Sequence, residues 1–229
     1  MCRNFLKVIF IFLSIIFFHQ SAWSQWQTLQ IGMKGGLNLA STNQSHFEIG
    51  GMIPVDFEKK VKPAYNVGAI IEYSLSKNLS IQFNPAYNVK GTKFQGTEVE
   101  NYIGLIDFNV TEKFEYLSFP LLAKFSIEAG QSRPYVFIGP EPAYLLAAEM
   151  KIEAAAMIGV KFDSTLNLKD DLQSLDMGLD AGIGIEFPVS SFNAFFEVSY
   201  GYGFINVNKI EGEEDIKNRS IYLNAGILF

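Results

Sequence analysis

Eight stretches of the 229-residue chain alternate apolar and polar residues. The clearest sets Leu175, Met177, Leu179, Ala181, Ile183, Ile185 and Phe187 against Asp176, Gly178, Asp180, Gly182, Gly184 and Glu186. Successive strand side chains point to opposite faces, so one face here is continuously apolar and the other acidic or bare. The same pattern predicts strands over Gln30–Ala40, Asn66–Leu75, Leu79–Lys90, Glu115–Ile127, Pro134–Ala147, Asn193–Gly203 and Arg219–Phe229. The connections alternate in length. Those at 41–64, 91–114, 148–172 and 204–218 are long; those at 76–78, 128–132 and 188–192 are short. Short turns on one side and long loops on the other are the habit of barrels in an outer membrane.

The first 24 residues read as a secretion signal. Arg3 and Lys7 precede the apolar run Val8–Phe18, and Ala22-Trp23-Ser24 places small residues before Gln25. That run is shorter than the ~20 residues of a spanning helix. The expected organisation is a cleaved segment 1–24 and one domain, 25–229. The domain has no long apolar run, so only a closed barrel, with every backbone group bonded between strands, would let it span a membrane. The predicted fold is therefore all-β: an eight-stranded antiparallel transmembrane up-and-down barrel. Pro85, Pro120, Pro140 and Pro142 fall inside predicted strands and cannot donate to a ladder. Bulges near the rims are the expected accommodation.

Nine charges point into the predicted lumen: Lys34, Glu72, Lys90, Lys124, Glu141, Asp176, Asp180, Glu186 and Glu197. Eight strands leave an interior that side chains fill, whereas diffusion pores use about 16–18 strands. Charges in such a place need partners, so Lys34 and Lys124 are expected among the carboxylates near mid-barrel, with water bridging the excess acid. Glycines 178, 182, 184, 201, 203 and 226 are expected to leave room for longer side chains from across the lumen. A proton path or catalytic pair is one reading of the acids; a satisfied polar plug is the other. Outward aromatics sit toward both predicted rims: Tyr73, Phe187 and Phe229 at one end, Tyr87, Tyr144, Tyr200 and Tyr202 at the other. They suit interfacial girdles, or simply the strand preference of aromatic residues.

Composition narrows the chemistry. Removing residues 1–24 takes the only cysteine, Cys2, and with it any disulfide, thiolate or zinc–thiolate site. It also removes two of the 18 Lys+Arg, leaving 16 against 24 Asp+Glu, a balance unsuited to nucleic acid. His46, beside Ser45 and near Glu48, is the one histidine of the expected domain. A hydroxyl–histidine–carboxylate site is assembled in space, but a loop histidine is more simply a solvated one. Glu211, Glu213, Glu214 and Asp215 supply calcium-type oxygens, or a charged loop tip. Phe47, Ile49, Met52, Ile53, Val55 and Phe57 make the first long loop apolar, suited to covering the barrel mouth or meeting a partner. No catalytic, cofactor-binding or metal-binding residue is assigned, and no cofactor is expected.

Several segments in order carry a resemblance. They are Gly32-Met33-Lys34-Gly35-Gly36-Leu37-Asn38, Gly68 through Glu72-Tyr73, and Ser80-Ile81-Gln82 through Lys90-Gly91. Glu115-Tyr116-Leu117 with Pro120-Leu121-Leu122 and Lys124-Phe125, Pro134-Tyr135-Val136 with Gly139-Pro140, and the closing Gly226-Ile227-Leu228-Phe229 continue it. Together they resemble the PorT-type outer-membrane β-barrel family of Bacteroidetes. The resemblance implies an eight-stranded barrel in outer-membrane lipid, and a C-terminal Phe read by the barrel-assembly machinery. The family's namesake takes part in protein secretion, a role that fold alone does not transfer. Three functions follow as expectations: a non-enzymatic scaffold acting through long outer loops, a secretion component working with envelope proteins, or a membrane-embedded hydrolase or acyltransferase.

Overall fold

The computed structural model describes residues 29–42, 58–100, 104–156, 161–207 and 217–229. These form twelve strands in one antiparallel sheet: β1 Leu29–Thr42, β2 Glu58–Ser74, β3 Leu79–Phe83, β4 Ala86–Lys90, β5 Thr92–Glu100, β6 Gly104–Ser118, β7 Leu121–Ser126, β8 Arg133–Ala156, β9 Lys161–Asn167, β10 Leu175–Val189, β11 Phe192–Gly203 and β12 Asn218–Leu228. The sheet closes on itself in a ring of eight, β1-β2-β3-β7-β8-β10-β11-β12 and back to β1.

Register fixes the geometry of the ring. The path from Leu29 runs through Tyr73, Ile81, Ala123, Ile138, Ala181, Tyr200 and Ile221, and returns to β1 at Leu39. It comes back ten residues further along than it left, a stagger that requires strands tilted by roughly 35–45° to the axis. The residues on this path lie on the outer face. That face carries exposed Ile31, Val67, Ile81, Phe125, Val136 and Ile183, while the opposite face is buried.

Two of the four prolines interrupt strands rather than bulging them. The predicted strand 79–90 breaks into β3 and β4 at Asn84-Pro85, and the predicted strand 115–127 breaks into β6 and β7 at Phe119-Pro120. Neighbouring strands keep contact there because a proline still accepts. The amides of Ala69, Asn84 and Phe119 donate to the carbonyls of Pro85, Pro120 and Pro142 at 2.8–3.0 Å. Pro140 and Pro142 lie within an unbroken β8. The irregularity between β6 and β8 falls instead where Glu115 pairs with Ala147 and Tyr116 with Leu145, leaving Leu146 as the extra residue.

Two expected long loops are strands. Residues 92–100 pair with 104–118 as β5 and β6, and 147–156 with 161–167 as the top of β8 and β9. The upper end of β2 joins them, Glu58–Val61 pairing with Thr92–Gln95. A raised sheet, β2-β5-β6-β8-β9, thus stands above the ring. Its faces are coloured the other way. Phe94, Val110, Phe114 and Tyr116 are buried inside, while Asn109, Thr111, Lys113 and Glu115 point out. The expectation of loops failed here because the alternation runs with its polar residues outward.

Candidate functional site

The lumen is the candidate site. All nine predicted inward charges are buried in it. Near the end closed by the short turns, Lys124 bridges Glu186 and Glu72, the latter at 2.9 Å. Ser80 and Gln82 also donate to Glu72, at 2.6 and 2.7 Å. Lys34 pairs with Glu197 at 2.9 Å, with Asn224 and Tyr135 donating to the same carboxylate at 3.1 Å. Lys90 meets Glu141 at 3.4 Å beneath Tyr222, whose hydroxyl donates to Glu141 at 3.1 Å. Asn218 links Asp176 to the Tyr116 hydroxyl, and Asn88 reaches Ser118. The lysines therefore do sit among the carboxylates, and Lys90 joins them.

The glycines serve neighbours, not the far wall. A Cβ on Gly182 would strike Phe137, one on Gly184 would strike Tyr135, and one on Gly226 would strike Phe195. Each aromatic lies directly across the ladder from its glycine. The expectation of room for side chains from across the lumen is corrected accordingly. Aromatics on adjacent strands need a flat surface to lie on, and glycine supplies it.

At the upper end an apolar cluster stands among the described residues. Phe114, Tyr116, Ala143, Leu145 and Ala148 pack with Leu172 and Val207, which come from connections beyond β9 and β11. Backbone bonds fix both connections: Gln173 donates to Val207 and Leu145 to Ser174, each at 2.8 Å. Buried Phe94, Phe114, Tyr116 and Glu112 were missed from the sequence. Phe114, Tyr116 and Glu112 continue the parity of Ser118 along β6, which is the signal that would have found them, and Phe94 on β5 pairs with Val110 of the same face.

On the outer face of the raised sheet, Lys113 donates to Glu115 at 2.6 Å. That bond, followed by one from Tyr87, holds the Glu115 carboxyl below its ordinary range. The bond to Glu115 likewise raises the Lys113 ammonium. Lys151 bridges Glu153 at 2.7 Å and Asp163 at 3.2 Å, and is also raised. His46, Ser45, Glu48, the apolar positions of the first loop and the acidic run 211–215 lie outside the described residues, as does segment 1–24. Among the described residues no group of His, Cys, Asp and Glu is arranged to hold a metal.

A closed ring with an oily outside and a charged inside defines a membrane barrel. Over residues 18–209 the chain matches the model of the outer membrane protein beta-barrel domain, and it belongs to that family. It is an outer-membrane protein. No curated protein matches the sequence. Among solved structures, the chain is similar to Neisserial surface protein A at 14% identity, covering 88% of this chain and 96% of that one, with a TM-score of 0.45. It is similar to outer membrane protein W of E. coli at 13% identity, covering 90% and 100%, with a TM-score of 0.40. The third likeness is to Ail of Yersinia pestis, at 15% identity, covering 89% and 100%, with a TM-score of 0.37.

With the membrane in place, the outward aromatics acquire a position. Tyr73, Phe187 and Phe229 lie on the outer face near the short turns, and Phe229 packs on Phe192 at 6.0 Å. Tyr144, Tyr200 and Tyr202 lie on that face toward the raised sheet. Tyr65 pairs with Tyr87 at 6.2 Å, and Arg219 stacks on Tyr202 at 5.1 Å. Aromatics at two heights, tyrosines at both and phenylalanines at the lower, suit girdles at the two interfaces.

Proposed function

We propose that this protein is a non-enzymatic scaffold of the outer membrane, working through its raised sheet and extracellular connections rather than by passing solute. The filled lumen carries the reading. Its charges are paired across strands, and an apolar cluster stands at its upper end. What remains available to a partner is the surface above the membrane. Strand β9 is the part of it with most to offer: among the described residues it pairs with β8 alone, and its Phe162 is 59% exposed. The test is to shorten the β5–β6 and β8–β9 hairpins to the rim. The truncated barrel is expected to insert and fold normally and to lose the envelope proteins that copurify with the full chain. Steady open-channel conductance in planar bilayers would overturn the reading.

The PorT-type resemblance favours a second reading, a component of a secretion pathway. A deletion strain distinguishes the two: a secretion component predicts loss of exported proteins from the medium, a scaffold predicts an unchanged profile.

A further inference from the structure

Within the lumen a cavity of ≈20 Å³ is lined by Lys34, Asn66, Asn84, Glu141, Asp180 and Asn224, among others. A buried water needs roughly 10–15 Å³ and two to four polar partners. Four atoms of this lining have no hydrogen-bond partner in the protein: Asn66 Nδ2, Asn84 Oδ1, Asp180 Oδ1 and Asn224 Oδ1. The four residues that carry them are each more than nine-tenths buried. Buried polar atoms left alone forfeit the bonds they made in water, so a cluster of four around one small space points to a guest.

Charge identifies the guest and its partner. Around Asp180 lie Lys34 from β1, Glu141 from β8, Glu197 and Ser199 from β11, and Tyr222 from β12. Lys34 is paired with Glu197 and Lys90 with Glu141. That set is neutral without Asp180, and an ionised Asp180 would be an uncompensated buried charge.

We propose that this cavity binds one water, and that Asp180 faces it as the neutral acid, donating its proton to it. Water has two protons to give and two lone pairs to fill. It donates to Asn84 Oδ1 and Asn224 Oδ1, and accepts from Asn66 Nδ2 and from the Asp180 hydroxyl. All four lone atoms are then satisfied. An ionised Asp180 would leave three acceptors competing for two protons. A cation would face the Asn66 N–H and the Lys34 ammonium. The water also joins two networks that are otherwise separate: Asn224 leads to Glu197 and Lys34, while Asp180 lies against Glu141, which leads to Lys90 and Tyr222.

The test uses the full chain refolded in lipid vesicles, with its aspartate carboxyls ¹³C-labelled, and infrared spectroscopy at neutral pH. The expected result is a labelled C=O band of a protonated acid that shifts in D₂O and is lost in D180N. D180N keeps an N–H to offer the water, so its unfolding midpoint is expected to stay at the wild-type value, whereas Asp180→Ala lowers it. Absence of the band in the wild type overturns the proposal, and so does its survival in D180N. If D180N does not refold, Asp176→Asn decides the assignment: survival of the band supports Asp180, and its loss overturns it.

Discussion

In the ring, Ile183 points out and Asp180 points in; in the raised sheet, Thr111 and Lys113 point out and Val110 and Phe114 point in. The two regions share strands. On β6 the outward residues are Thr111, Lys113 and Glu115, then Leu117, and beyond the Phe119-Pro120 break β7 continues with Leu121, Ala123 and Phe125. The same face of one antiparallel sheet continues on both sides of Leu117, with β8 alongside throughout. The surrounding solvent accounts for the change of polarity. Hydrocarbon rewards apolar surface outside and tolerates charge inside where it is paired; water rewards the reverse. The switch from Glu115 to Leu117 marks the edge of the hydrocarbon, with Tyr87 directly opposite Leu117.

Four substitutions test that contrast, in order of expected effect. Lys124, 1% exposed at its side chain, bridges two carboxylates; Lys124→Ala leaves both buried without it and is expected to cost about 3–5 kcal/mol. The urea unfolding midpoint in lipid vesicles reads this. Ile183→Arg puts a cation into hydrocarbon and is expected to cost about 2–4 kcal/mol. Its control is Thr111→Arg in the raised sheet, expected within about 0.5 kcal/mol of wild type. If the two arginines are tolerated equally, the membrane has been placed at the wrong height. Gly184→Ala drives a methyl into the Tyr135 ring, and overpacking of this kind costs about 1–3 kcal/mol. A normal midpoint together with an unchanged tyrosine fluorescence spectrum would contradict the ring-on-glycine packing.

The smallest effect belongs outside the membrane. Lys113→Ala removes an ion pair whose members are partly exposed, worth about 0.2–1 kcal/mol. Its pH dependence has a definite shape. Glu115 is lowered, so its contribution is complete above the ordinary carboxylate range and fades as pH falls through the lowered value. Lys113 is raised, so its contribution is complete below the ordinary ammonium range and fades as pH climbs through the raised value. The difference between wild type and variant should be flat near neutrality and shrink at both extremes.

The ring was legible because hydrocarbon imposes one phase on every strand that crosses it. Asp176 to Glu186 and Ser220 to Asn224 alternate cleanly, and all nine inward charges followed from parity alone. The raised sheet was not legible because its phase is inverted and its polar residues are mixed. Lys113, Glu149 and Lys151 look like loop residues until Phe114 and Ala148 are seen beneath them. The Leu146 bulge hid more, since one extra residue reverses the parity of everything after it in β8. Pairing among the lumen charges was foreseeable in kind but not in detail. Which carboxylate a lysine meets depends on the ten-residue stagger, and stagger is a property of the closed ring rather than of any one strand.

The length of β8 sets a distance. Its 24 residues, at ~3.3 Å each and inclined by roughly 40°, climb on the order of 60 Å, against an apolar band about 25 Å tall. Something near half of that climb clears the hydrocarbon. A molecule lying flat on the lipid headgroups would touch the foot of this mast, whereas one held several headgroup layers away would meet its tip. For a scaffold of the kind proposed, the strand dictates how far from the bilayer an encounter takes place.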